Sequence, residues 1–244
     1  MIKFDRYSLL AVALLTFAIF AGCTDRSGRQ ALDERIADAS RPLVFLTYPT
    51  VPPCSYLDGN GGVVGTDVEL ARRIAGKLGR ELKVESVEFG DILPRLKAGT
   101  ADFAIATIII TEARQRDVDF SEPYAQGGAA FLYRQNGRKP RMSQIFTFRI
   151  GVEADSVHDI YLCRHGCDPV RFVCLREAID ALERDEVDGV FFDSVQLAAK
   201  AAVSNGRLAV SPLETKDCYG VAVDKRRPDV LAAANAVIAE GVLP

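Results

Sequence analysis

The chain has 244 residues, 48% of them hydrophobic, with 30 Lys+Arg against 33 Asp+Glu and a formal net charge of −3. A mildly acidic balance without a basic patch argues against a nucleic-acid partner. The stretch from about residue 43 onward is long enough for a sizeable core, as one large or two small domains.

Residues 1–22 read as a secretory leader. Lys3 and Arg6 form a short basic region, and Leu9 to Ala21 is apolar apart from Thr16. That core is too short to span a bilayer comfortably. Its end, Phe20-Ala21-Gly22-Cys23, resembles a lipoprotein signal with Cys23 as the acylated first residue, which would anchor the chain to a membrane. Loss of the leader removes Lys3, Arg6 and Asp5 and so takes the net charge from −3 to −4. Residues 23–42 are polar and charged and read as a tether.

Strands and helices then alternate. Leu43 to Thr47 is predicted as a strand. Asp67 to Leu78 is predicted as an amphipathic helix, capped by Asp67 and stopped by Gly79. Leu82 to Phe89 reads as a strand and Gly90 to Ala98 as a helix. Such alternation predicts an α/β fold with sheets covered on both faces.

The stretch from Asp102 to Tyr124 organises the rest. Phe103 to Ile110 is nearly unbroken, apolar and rich in β-branched residues, which reads as a strand buried on both faces. Thr111 then caps a short helix. Arg114 falls in that helix's first turn, where unpaired N–H groups make a cation locally unfavourable. A broken local rule at a strand end suggests a bound anion; a salt bridge to Glu112, Asp117 or Asp119 is the alternative. An internal echo points to two related lobes. Leu96 precedes Asp102 as Leu182 precedes Asp188, by six positions each time, and an apolar strand follows both. Each lobe would deliver a strand end towards a shared crevice, where open α/β sheets hold ligands. The crossings between lobes are expected near 128–134 and 208–212.

A buried strand, then Thr111-x-x-Arg114, then Val118-Asp119-Phe120-Ser121-x-Pro123-Tyr124 resembles the signature of bacterial extracellular solute-binding proteins of family 3. These are the substrate-binding components of polar amino-acid ABC importers. The resemblance extends over nearly all of 43–241, through Pro53 to Tyr56, Gly65 to Leu70, Ile150 to Val152 and Val187 to Asp193. It implies a two-lobed periplasmic binding protein type II fold, each lobe a mixed sheet flanked by helices, with the ligand cleft between lobes. Lobe 1 would comprise 43–128 and 213–244, and lobe 2 would comprise 129–212 including the hinge strands.

The resemblance also implies roles. Arg114 would clamp a ligand's α-carboxylate, a task that suits a planar guanidinium. Asp193, at the end of a strand and the start of a helix, would receive the α-ammonium; a helix N-cap is its plain structural role. Tyr48, Tyr56 and Phe89 would line the cleft, and Ser156 would stand at the start of lobe 2's first helix. Relatives often carry an acidic residue at the position of Tyr48 to pair with a basic ligand, so its absence argues against lysine, arginine or histidine. Three positions depart from the family pattern. Ile109 replaces a Ser or Thr that bonds the carboxylate, Thr107 replaces a Gly and could substitute for the lost hydroxyl, and Asp155 replaces a Gly directly before Ser156. A hydrogen bond to a charged group contributes about 1.5–3 kcal/mol, so these departures point towards an atypical ligand.

Besides Cys23 the chain has Cys54, Cys163, Cys167, Cys174 and Cys218. Outside the cytoplasm pairing is the default, and Cys163, Cys167 and Cys174 are close enough in sequence for a local bridge. Their spacing with His165 matches no zinc pattern, so no metal and no cofactor are expected. The only histidines, His158 and His165, are expected at the surface. The reading is a monomeric, non-enzymatic, periplasmic, lipid-anchored protein. It would close over a small zwitterion, a neutral or polar amino acid, and deliver it to a membrane permease. The alternatives are an accessory or sensory binding domain with another ligand, and an enzyme like cyclohexadienyl dehydratase, for which Asp155 and Asp193 are the candidate acids.

Overall fold

The computed structural model of the chain describes residues 41–241. The expected leader, the lipidation site Cys23 and nearly all of the tether lie outside the described residues. Among the described residues no helix is long and apolar enough to cross a membrane.

The chain enters through β1 (Leu43–Thr47) and then a small antiparallel sheet of β2 (Thr50–Val51), β3 (Ser55–Leu57) and β4 (Val63–Val64). Helix α1 (Thr66–Lys77), β5 (Leu82–Ser86), α2 (Phe89–Ala98), β6 (Phe103–Ala104), the four-residue α3 (Glu112–Gln115) and β7 (Asp119–Phe120) follow. After β8 (Ala125–Gly127) the chain builds β9 (Ala129–Arg134), β10 (Ile150–Glu153), α4 (Val157–Arg164), β11 (Val170–Phe172), α5 (Leu175–Glu183), β12 (Gly189–Asp193), α6 (Ser194–Ala202) and β13 (Leu208–Val210). It returns through β14 (Asp217–Tyr219) to β15 (Ala222–Val223) and α7 (Pro228–Ala239).

Two five-stranded sheets result, in the orders β5-β1-β6-β15-β7 and β11-β10-β12-β9-β13, joined by the antiparallel pair β14-β8. In each sheet a first strand (β1 or β10) pairs in parallel with a later one (β6 or β12). Both faces of both sheets are covered. Phe45, Ile74, Phe103, Val230 and Val237 fill one face of the first under α1 and α7, and Leu46, Ile92 and Leu96 fill the other under α2. In the second, Leu132, Val190 and Leu197 pack under α5 and α6, while Phe131, Leu162 and Phe191 pack under α4. The expected mixed α/β architecture is therefore present.

The internal echo is a real structural repeat. Asp102 Oδ2 accepts from the Val44 N–H at 2.8 Å while its own N–H donates to the Val44 carbonyl at 2.9 Å. Asp188 Oδ2 accepts from the Arg149 N–H at 2.8 Å and its N–H donates to the Arg149 carbonyl at 2.7 Å. Each aspartate thus fixes the register between the two parallel strands that lead to the cleft. Asp102 is buried and also pairs with Arg227, whereas Asp188 pairs with the exposed Arg149.

Three elements differ from expectation. The apolar run from Phe103 to Ile109 is buried, but its regular strand is only Phe103–Ala104, and Ile109 makes an isolated bridge with Tyr219. The chain turns at Thr107, whose φ of 49° leaves strand geometry. The strand after α1 ends at Ser86, and Phe89 belongs to α2. Helix α1 starts at Thr66 with Gly65 as N-cap, and Asp67 makes no capping bond. Gly65 has φ 126°, and a Cβ there would lie 2.2 Å from the Cys54 carbonyl oxygen, so only glycine lets the chain pass.

Candidate functional site

Helix α3 carries one charged group, Arg114, beside the first sheet, and the end of β12 carries another, Asp193, in the second. Thr111 caps α3, its hydroxyl accepting from the Arg114 N–H at 3.3 Å, as expected. This holds Arg114 at the helix end, with Nη1 donating to the Ile109 carbonyl at 2.8 Å. The guanidinium lies 5.7 Å from the centre of the Phe89 ring, and Phe89 meets Tyr48 edge-on at 6.4 Å. Arg114, Phe89 and Tyr48 therefore form one wall. Burial disfavours the charge on Arg114, a cost that a bound anion would relieve.

Asp193 ends β12 and caps α6. Its Oδ1 accepts from the Val195 N–H at 2.9 Å and its Oδ2 from the Tyr219 hydroxyl. The carboxyl is 4% exposed, and burial raises its pKa against the lowering effect of these bonds. Tyr219 belongs to β14, at the junction of the sheets, and is itself fully buried. The adjacent Ser194 N–H donates to the Gly128 carbonyl at 2.9 Å. Asp193 is thus tied into the connecting strands from both sides. Cys54 lies near Asp193 and Asp67, and burial pushes its thiol up to about 11, so it is protonated and unreactive at neutral pH.

The other expected residues are distributed unevenly. Ile109 is beside Arg114, and its aliphatic side chain offers no hydrogen bond. Thr107 is buried at the same strand end, with its N–H donating to the Tyr124 hydroxyl at 3.2 Å. Ser156 caps α4, its hydroxyl donating to the Glu153 carbonyl at 2.7 Å and accepting from the Asp159 N–H at 3.1 Å. Tyr56 is exposed on the small β2-β3-β4 sheet. Asp155 is exposed with φ 58°, and lines a surface hollow of about 390 Å³ with Asp159, Ile160, Cys163 and Arg164.

Two expectations are corrected here. Cys163, Cys167 and Cys174 are all free thiols. Cys163 sits on α4 with its Sγ 3.1 Å from Arg171 Nη2, Cys167 is buried in the core under α4, and Cys174 is the N-cap of α5. Sequence proximity put them in one region, but their side chains serve different environments. His158 is buried, not at the surface. Its ring lies 4.5 Å from that of Phe192, next to Asp193, and burial together with the Arg114 charge lowers its pKa to about 4. Only its position two residues past Ser156 hinted at this.

Residues 43–241 match the family described as bacterial extracellular solute-binding proteins, family 3. The amino-acid-binding protein AabA of Dichelobacter nodosus is 45% identical over 82 residues, covering 33% of this chain and 32% of that protein. The L-cystine-binding protein TcyJ of Escherichia coli (strain K12) is 25% identical over 248 residues, covering 96% of this chain and 90% of that protein. Among solved structures, the arginine-bound form of truncated ArgBP from T. maritima superposes with a TM-score of 0.74 at 31% identity, covering 85% of this chain and 99% of that one.

Proposed function

Because the chain belongs to family 3 of the bacterial extracellular solute-binding proteins, whose type II periplasmic binding fold it shares, we propose that it is the solute-binding component of an ABC importer. Its ligand is a small zwitterion, a neutral or polar amino acid, held by closure of the lobes. Arg114 takes the α-carboxylate and Asp193 the α-ammonium. Tyr48, Tyr56 and Phe89 wall the side chain, with Thr107, Ile109 and Ser156 also in the site. Lobe 1 comprises 43–128 and 213–244, and lobe 2 comprises 129–212. Cys23 carries a lipid anchor on the periplasmic side of a membrane, and the monomer passes its ligand to a permease rather than transforming it.

The observation that carries this reading is the pairing of a partly desolvated guanidinium on one sheet with a buried carboxylate on the other. A zwitterion satisfies both, so its binding energy favours closure. The relatives' names point to arginine and cystine. Tyr48, which pairs edge-on with Phe89, stands where relatives often carry an acidic residue, and the missing acid supports an uncharged side chain over a guanidinium.

Calorimetric titration of the mature chain against L-arginine, L-cystine, L-glutamine and the remaining amino acids tests this. One class is expected to bind in the micromolar range or tighter, and Arg114→Ala is expected to weaken it by about 2–5 kcal/mol. Heat from none of them would remove the amino-acid reading and favour the accessory or sensory alternative.

A further inference from the structure

We propose that His158 is a direct ligand contact, donating its ring N–H to the same carboxylate that Arg114 holds. The proposal rests on the amino-acid reading above. His158 is 6% exposed, and neither ring nitrogen has a hydrogen-bond partner among the described residues. A neutral imidazole carries one donor and one acceptor, and leaving both buried and unpaired is costly. A purely packing role would be served better by leucine. The cost points to a group that arrives from outside.

The ring's location says which group. It stacks obliquely on Phe192 at 4.5 Å and meets Phe191 edge-on at 6.0 Å. Successive residues of a strand point to opposite faces. A ring touching both therefore lies over the carboxyl end of β12, one residue from Asp193. From the facing lobe, Arg114 is close enough to act on the ring's charge. His158 is bracketed by the two anchors. Beside Arg114, the Ile109 carbonyl is already taken and its side chain has no donor. His158 is the free donor on the facing side, and a carboxylate on Arg114 would come within its reach.

The test uses the mature chain with His165→Gln, so that His158 is the sole histidine, and follows its ring by ¹⁵N NMR during addition of L-arginine, L-cystine or L-glutamine. His158→Leu and His158→Gln are titrated in parallel. The ring signals are expected to shift with the amino acid that binds. His158→Leu should weaken that amino acid tenfold or more while melting no lower than the parent in its absence, and His158→Gln, which keeps a donor, should stay within about threefold, or 0.65 kcal/mol. If an amino acid binds while the ring signals stay fixed and His158→Leu binds normally, the His158 contact is wrong and the amino-acid reading stands. If no amino acid, these three or any other, binds the parent, both fall together.

Discussion

Arg114 and Asp193, the two residues proposed to hold the ligand, belong to opposite sheets' halves of the molecule, yet they are held very differently. Arg114 rides on a four-residue helix, is half-buried and spends one bond on a backbone carbonyl. Asp193 is 4% exposed, joins a five-residue strand to a nine-residue helix, and has both oxygens engaged, one by a tyrosine from the strands that link the lobes. The cation is loosely placed with spare donors, whereas the anion is fixed in advance. On the proposed reading, a ligand's carboxylate would complete an unfinished site, while its ammonium would dock onto a finished one. Substitutions should separate the two. Arg114→Ala should cost affinity and leave thermal stability nearly unchanged. Asp193→Asn should cost up to about 5 kcal/mol of binding and also lower the melting temperature, because Tyr219 and Val195 lose a charged acceptor. Unchanged stability in Asp193→Asn would mean that the carboxylate is no more built-in than the guanidinium.

A second buried carboxylate sharpens the contrast. Asp67 is 1% exposed, and its Oδ2 has no hydrogen-bond partner. Burial pushes its pKa from 3.8 up to about 7. Between pH 4 and 7 the folded chain holds a proton that the unfolded chain has released, so stability falls as pH rises through this window. Above pH 7 the loss is complete, on the order of 4 kcal/mol. Asp67→Asn, an isostere of the protonated form, should raise the melting temperature at pH 8 and leave it unchanged at pH 4. An equal effect at both values would show that Asp67 is hydrated, and that the difference from the bonded Asp193 is smaller than its burial suggests.

Tyr219→Phe probes how far the fixed end depends on its neighbour. It removes one bond to a buried carboxylate, worth about 1.5–3 kcal/mol of stability. Affinity for an α-amino acid should fall less than in Asp193→Asn, because the carboxylate itself remains. Calorimetry and thermal melts on the same preparation compare the two losses. A larger affinity loss in Tyr219→Phe would move the ammonium contact from Asp193 to the tyrosine.

These differences mark what the sequence could and could not convey. Thr111 and Arg114 were legible because cap and cation lie three residues apart on one local element. The Asp102 and Asp188 echo was legible because both follow a leucine at one spacing, and each does bind the neighbouring strand's backbone. The run from Phe103 to Ile110 announced burial, but hydrophobicity does not distinguish a paired strand from a buried turn. Capping preference pointed to Asp67, whereas contact with Cys54 requires Gly65 and places the helix start there. His158 and Cys163 depended on which way α4 faces, and a helix with little amphipathic pattern does not reveal that.

The smallest effect compares two left-handed residues, one in each sheet's half of the molecule. Thr107 follows β6 and Asp155 follows β10, each before a helix, and both are left-handed, with φ 49° and 58°. For a β-branched residue this conformation is a true outlier, while aspartate tolerates it well. Thr107→Gly should therefore stabilise the chain by up to about 1 kcal/mol, the strain relieved exceeding the added freedom of the unfolded glycine. Asp155→Gly should change stability by roughly half as much or less, since its penalty is smaller and its N–H already bonds Asp159 at 3.2 Å. Denaturant unfolding of both variants reads the difference directly. If Thr107→Gly is neutral or destabilising, the Thr107 side chain contributes packing that outweighs its strain.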